Sequence, residues 1–185
     1  MDYSPDTLIE EFTAELKVQM AKIKSGPVED FSNFCGPVIH GDSFKKIKGY
    51  LDDVKSGKNS STSILVGGEA SDSVGYYIQP TVLLTKDPKS PTMVNELFGP
   101  VLTVYSYPVE EFEETLELAD STSTYALTCG VFAQDREATL VMLNKLRNAA
   151  GNMYVNDKST GAVVGQQWFG GGRDSGTNDK AGSPL

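Results

Sequence analysis

Between Val101 and Val155 the chain switches repeatedly between two periodicities, and this alternation restricts the fold more than any other feature. Val101-Leu-Thr-Val-Tyr-Ser-Tyr107 is a run of β-formers. Pro108 then opens a helical stretch whose first turn holds Glu110 and Glu111, favourable at the positive end of a helix dipole, with Val109, Phe112, Leu116 and Ala119 expected to face inward. Ala126–Phe132 reads as the next strand. Asp135 reads as the N-cap of a helix with Ala138, Met142, Leu146 and Ala149 on its buried stripe, and Asn152–Val155 as a last short strand. Strand, helix, strand, helix, strand implies parallel strands joined by right-handed crossovers, hence an α/β layered sheet with helices packed on it.

The first half carries the same two signals. From Asp6 to about Lys24, Leu8, Ile9, Phe12, Leu16, Met20 and Ile23 recur at three- and four-residue steps, and Gly26-Pro27 stops the pattern. A second helix is expected from Asp42 as N-cap, with Phe44, Ile47, Leu51 and Val54 on one face and Gly57 beyond its end. Ser63–Gly67 and Tyr76–Leu84 read as strands, the second interrupted by Pro80.

Composition narrows the classes of function. At 185 residues, 39% hydrophobic and 22% charged, the chain suits one domain with a sizeable core. Its net charge of −9 lacks the Lys/Arg clusters that phosphates require, so no nucleic-acid partner and no anionic membrane surface is expected. No apolar run approaches the roughly 18 to 20 residues needed to cross a bilayer, and Met1–Asp6 has neither a basic n-region nor an Arg-rich presequence, so no targeting segment is visible. Cys35 and Cys129 are too few for a disulfide framework and lack CxxC spacing, which suits a reducing compartment; with His40 the one histidine, no metal site is expected.

After the last expected strand comes a glycine-laden stretch from Asn156 to Asp179 that carries Trp168-Phe169 between its glycines. It reads either as a binding loop, since glycine lets a backbone come close to a ligand, or as a surface connector with two apolar anchors. Its place at the end of a strand is where ligands collect in α/β sheets.

Two motifs carry a resemblance. Asn95-Glu-Leu-Phe-Gly-Pro-Val101 sets an acid and an aromatic at a Gly-Pro turn just before a strand, and resembles a signature of the aldehyde dehydrogenase superfamily. Gly151-Asn-Met-Tyr-Val-Asn156 through Gln166-Gln-Trp-Phe-Gly-Gly-Gly to Ser175-Gly-Thr-Asn-Asp179 resembles more narrowly the glutamate-semialdehyde dehydrogenases, or Δ1-pyrroline-5-carboxylate dehydrogenases, of proline breakdown. Asp120–Thr128 and Leu146–Gly151 resemble the same subfamily, and the similarity reaches back to about Phe31.

The resemblance implies a fold and an activity. The fold would be the parallel-sheet, three-layer α/β catalytic domain of the aldehyde dehydrogenase type, of which residues 1–185 form an incomplete part. The activity would be NAD-dependent oxidation of a small-molecule aldehyde, the γ-semialdehyde, to glutamate by a homo-oligomeric enzyme of the mitochondrial matrix. A cysteine thiolate attacks the aldehyde in that family, hydride leaves to the nicotinamide, and water hydrolyses the thioester. Position by position, Glu96 would hydrogen-bond the nicotinamide ribose and Phe98 would pack on the nicotinamide. The bland alternatives are that Glu96 satisfies a local turn and that Phe98 is core. Gly161 and Ala162 would bind the substrate α-carboxylate through backbone N–H groups, and Phe169 would line the aliphatic part of the substrate. The family usually has serine at the position of Ala162, so one hydroxyl contact is lost. Lys158 and Arg173 either attract a carboxylate or are solvated surface charges.

The departures from the family matter as much. Its nucleophilic cysteine, general-base glutamate and dinucleotide-binding domain belong upstream of the segment matched here, and the oligomerisation strand belongs beyond Ser183–Leu185. Cys35, in Phe34-Cys-Gly-Pro37, lacks the neighbours of the nucleophile motif, and Cys129 lies in an expected strand. Both read as inert small hydrophobes. No residue is therefore assigned as catalytic, and the isolated chain is expected to be inactive. The alternative is a non-catalytic truncated paralogue that associates with intact subunits or binds glutamate-like carboxylates.

Overall fold

A computed structural model describes residues 1–163 and 165–181, and the chain divides into two units, Met1–Phe112 and Glu113–Leu185. The first runs β1 (Asp2–Pro5), α1 (Ile9–Met20), α2 (Gly41–Lys55), β2 (Thr62–Val66), β3 (Ala70–Ser71), β4 (Tyr77–Ile78), β5 (Thr81–Thr85), α3 (Pro91–Val94) and β6 (Val101–Tyr107), then a 3-10 turn at Val109–Glu111. Four of these strands form a sheet in the order β1-β6-β5-β2. β1 and β5 each run parallel to β6, whereas β2 is antiparallel to β5. The sheet is thus mixed, not the parallel sheet that the resemblance implied. What joins β2 to β5 is the small β3–β4 hairpin instead of a crossover helix, and only a parallel neighbour requires the crossover.

The core of this unit lies where α2 meets the sheet. Phe44, Ile47, Leu51 and Val54, spaced at three and four residues, are buried with Ile78, Leu83 and Leu97. Each such side chain removed from water contributes about 1.5–3 kcal/mol. The N-cap of α2 is His40, not Asp42: its Nδ1 accepts the Ser43 N–H at 3.0 Å, while Asp42 occupies the first turn, where its charge still favours the helix. α1 is shorter than its periodicity suggested. Leu8 is exposed at its N-cap, and Ile9, Phe12, Leu16 and Met20 are half-buried. β1 was not foreseen, because Asp-Tyr-Ser-Pro has no strand signature of its own and is extended through its pairing with Val104–Tyr107. The expected strand Tyr76–Leu84 is two strands, broken at Pro80, which has no N–H to give to a ladder.

The second unit begins one residue into α4 (Phe112–Ser121) and contains β7 (Tyr125–Ala126), β8 (Thr128–Val131), α5 (Arg136–Lys145), β9 (Asn152–Val155) and β10 (Gly172–Arg173). β8 and β9 pair in parallel from Thr128↔Asn152 to Val131↔Val155, and β7 pairs antiparallel with β10. The expected strand Ala126–Phe132 is therefore split at Leu127, whose carbonyl accepts the N–H groups of Gly151 and Asn152. Phe132 lies outside it and is exposed. Val109, expected to face inward, is exposed in the 3-10 turn that precedes α4. Asp135 caps α5 as expected, its Oδ1 accepting the Ala138 N–H at 2.7 Å, and Met142 and Leu146 are buried. The expectation for Ser183–Leu185 lies outside the described residues.

Leu83 sits fully buried in the middle of β5. Leu83→Ala is expected to destabilise the first unit by about 2–5 kcal/mol, as lost transfer energy plus a residual cavity. Urea unfolding of both proteins checks it.

Candidate functional site

The loop that leads into β6 is held from below by hydroxyl groups. Ser90, fully buried, joins the side chains of Asn59, Thr62 and Thr92 at 3.1–3.2 Å, and Thr103 of β6 donates to the Thr92 carbonyl at 3.0 Å. With that anchor, and with Pro91 pre-set for the first helical position, α3 makes a single turn and the chain leaves it extended at Asn95.

From there successive side chains alternate. Glu96 is exposed, Leu97 is buried in the core of the unit, and Phe98 is 78% exposed. Phe98 also has φ = 55°, the left-handed region, at a cost of roughly 1–2 kcal/mol for a residue with a Cβ. The core reading of Phe98 is overturned: burial of Leu97 forces its neighbours outward. The turn reading of the Glu96 side chain fails as well, since it is the Glu96 carbonyl that makes the local bond, accepting from Lys46 Nζ of α2. Among the described residues, no hydrogen bond or ion pair engages its carboxylate. One residue along α2, Ile47 packs so closely under Gly99 that a Cβ there would lie 2.5 Å from its Cδ1. α2 thus holds the loop by one polar and one apolar contact. A carboxylate with two acceptor oxygens and an aromatic face, two residues apart in solvent, suit a ligand that joins a flat ring to a sugar with vicinal hydroxyls.

The glycine-laden stretch belongs to the second unit. Asn156, with φ = 51°, ends β9 and pairs its side-chain amide with both backbone groups of Ala133 at 2.9 Å, while its own N–H donates to the Val131 carbonyl. The ends of β8 and β9 are thereby fixed before the loop begins. Gly161 and Ala162 are half-buried, and no hydrogen bond among the described residues uses their N–H groups. A Cβ on Gly161 would meet only the flexible end of Lys158, so packing of the fold does not demand glycine there. Phe169 is half-buried, with its N–H and carbonyl both bonded to Ala181 at 3.1 and 2.7 Å. Arg173 is exposed but is not a free cation. Its guanidinium donates to the carbonyl and to Oδ1 of Asp120, each at 2.6 Å, and so ties β10 to the end of α4.

Neither thiol belongs to these two stretches. Burial pushes the Cys129 thiol up on β8, which lowers its thiolate fraction near neutral pH. Cys35 is half-buried in an isolated β-bridge to Ser25, and its N–H donates to the Lys24 carbonyl at 3.0 Å. Among the described residues, no group of three or more His, Cys, Asp or Glu side chains could hold a metal ion, and no helix is long and apolar enough to cross a membrane. Lys46 escaped the sequence reading because nothing in periodicity links it to a residue 50 positions away.

Known proteins resemble this chain over nearly its whole length. The aldehyde dehydrogenase family model matches residues 3–184. The mouse protein named Delta-1-pyrroline-5-carboxylate dehydrogenase, mitochondrial, is 51% identical over 183 residues, which are 98% of this chain and 32% of that one. The crystal structure of the Delta-pyrroline-5-carboxylate dehydrogenase from Mycobacterium tuberculosis aligns with a TM-score of 0.87 at 46% identity, over 98% of this chain and 33% of its own. The same enzyme bound with NAD gives 0.85 at 45% identity, over 98% and 32%. The chain spans about a third of the length of these relatives.

Two outcomes follow from the geometry. Phe98→Gly, which removes left-handed strain and little packing, is expected to leave stability unchanged or to raise it by up to about 1 kcal/mol in urea unfolding; a clear loss would mean that the ring is packed. Cys129 is expected to alkylate with iodoacetamide more slowly than free cysteine at neutral pH, and to lose that protection in urea, as peptide mass spectrometry would report.

Proposed function

The chain belongs to the aldehyde dehydrogenase family, and from that premise we propose that it forms part of the catalytic domain of an NAD-dependent L-glutamate γ-semialdehyde dehydrogenase, acting in proline degradation in the mitochondrial matrix. The names of its relatives support the substrate and the compartment, and an NAD-bound neighbour supports the cofactor. The observation that carries the reading is the paired display of Glu96 and Phe98, the aromatic 78% exposed and in a strained backbone conformation.

When bound, NAD supplies the hydride acceptor. In this reading Glu96 accepts hydrogen bonds from both hydroxyls of the nicotinamide ribose, and the Phe98 ring packs on the nicotinamide. Gly161 and Ala162 offer their N–H groups to the substrate α-carboxylate, and Phe169 lines its aliphatic part. Ala162 contributes its backbone alone. Neither Cys35 nor Cys129 is the nucleophile, so the chemistry needs a thiolate, a base and a dinucleotide-binding domain from elsewhere in a homo-oligomeric enzyme, and the 185-residue chain by itself turns nothing over.

Two experiments test this. The purified chain, with and without the Cys35→Ser and Cys129→Ser substitutions, is expected to reduce no NAD with glutamate semialdehyde; turnover abolished by the substitutions would make one of these cysteines a nucleophile. In a longer family enzyme carrying these 185 residues in place of its own counterpart, Glu96→Gln is expected to raise KM for NAD about tenfold. Phe169→Ala should instead raise KM for the semialdehyde. A reversed pattern would sink the assignment.

A further inference from the structure

Five consecutive main-chain polar groups, from the Trp168 carbonyl to the Gly170 carbonyl, are each bonded to a partner ten or more residues away. Asn152, buried at the start of β9, donates Nδ2 to the Trp168 carbonyl at 2.8 Å and accepts the Gly170 N–H on Oδ1 at 3.1 Å. Ala181 takes both backbone groups of the residue between, Phe169. Lys180, half-buried beside Ala181, completes the set: its ammonium donates to the carbonyls of Gly151 and Gly170, at 2.6 and 3.3 Å, and to Asn178 Oδ1 at 2.6 Å. Three N–H donors meet three neutral acceptors.

The need for a cation follows from how close the two backbones come. A Cβ on Gly151 would stand 1.7 Å from the Gly170 carbonyl oxygen, so the main chains touch directly and two carbonyl dipoles point into one small space. An ammonium between them turns that repulsion into two charge-assisted hydrogen bonds. Surface loops usually leave backbone groups to water, whereas this segment is fixed at every one, as a binding group held in advance of its ligand must be.

We propose that Asn152 and Lys180 are positioning residues for Phe169, setting where its ring stands against the substrate. The proposal rests on reading Phe169 as substrate-lining. It is tested in the 185-residue chain with Lys180→Met, Lys180→Arg and, as a second route to the same clasp, Asn152→Asp. Amide exchange at Phe169, Gly170 and Ala181 is expected to quicken about tenfold or more in Lys180→Met and Asn152→Asp, with β5 and β6 unchanged. Trp168, the one tryptophan of the chain, should become easier to quench with acrylamide. Calorimetric affinity for L-glutamate should fall by a similar factor and return in Lys180→Arg. Unchanged exchange, acceleration spread equally over β5 and β6, or local acceleration with glutamate affinity intact would each overturn the proposal. An unaltered chain that binds no glutamate would instead count against the carboxylate reading of Gly161 and Ala162, and the clasp would then be judged by exchange alone.

Discussion

Ile47 has no solvent exposure and Gly99 has no room for a Cβ for one reason: α2 lies directly beneath the turn that enters β6. That single contact joins the core of the first unit to its candidate cofactor loop. Because Ile47 and Leu97 share one apolar cluster, the position of Leu97 is set by packing, and packing is intolerant of small displacements. Glu96 and Phe98 inherit their placement from it. The hydroxyl network around Ser90 does the same from the other side, since each of its buried donors requires a fixed partner.

The second unit solves the same mechanical problem differently. Its glycine-laden loop has few apolar side chains to bury, so its backbone is held by hydrogen bonds: Asn156 on Ala133, Asn152 on residues 168 and 170, Lys180 on two carbonyls, Arg173 on Asp120. Such contacts demand exact geometry and give little energy each in water. Together they order a segment whose composition would otherwise favour a mobile connector. Glycines here serve less to bend the chain than to let two backbones meet, as at Gly151 and Gly170.

Much of the candidate site was legible because it lies in contiguous motifs. Glu96, Phe98, Gly161, Ala162 and Phe169 are candidates by local pattern and resemblance, while the residues that hold them in place carry no such signal. Lys46 and Lys180 look like ordinary surface lysines in sequence, and Asn152 looks like the polar first residue of a strand. Their main-chain partners lie 10 to 50 positions away, and no local periodicity records such a distance. The split strands show the converse: Pro80 announced one break by its missing N–H, whereas the break at Leu127 comes from hydrogen bonds to Gly151 and Asn152 that only the folded chain brings together.

The amphipathic stripe of α2, the run of β-formers in β6 and the Asp135 cap are short-range properties, and sequence alone determined them, because side-chain period and local hydrogen bonding act within a few residues. Strand direction was decided only by tertiary structure. Whether β2 runs with β5 or against it depends on what joins them, and the β3–β4 hairpin takes the place of a crossover helix there. Exposure was decided there too: Phe98 is as apolar in sequence as any core residue, and it stands in solvent because its neighbour Leu97 had the only way in.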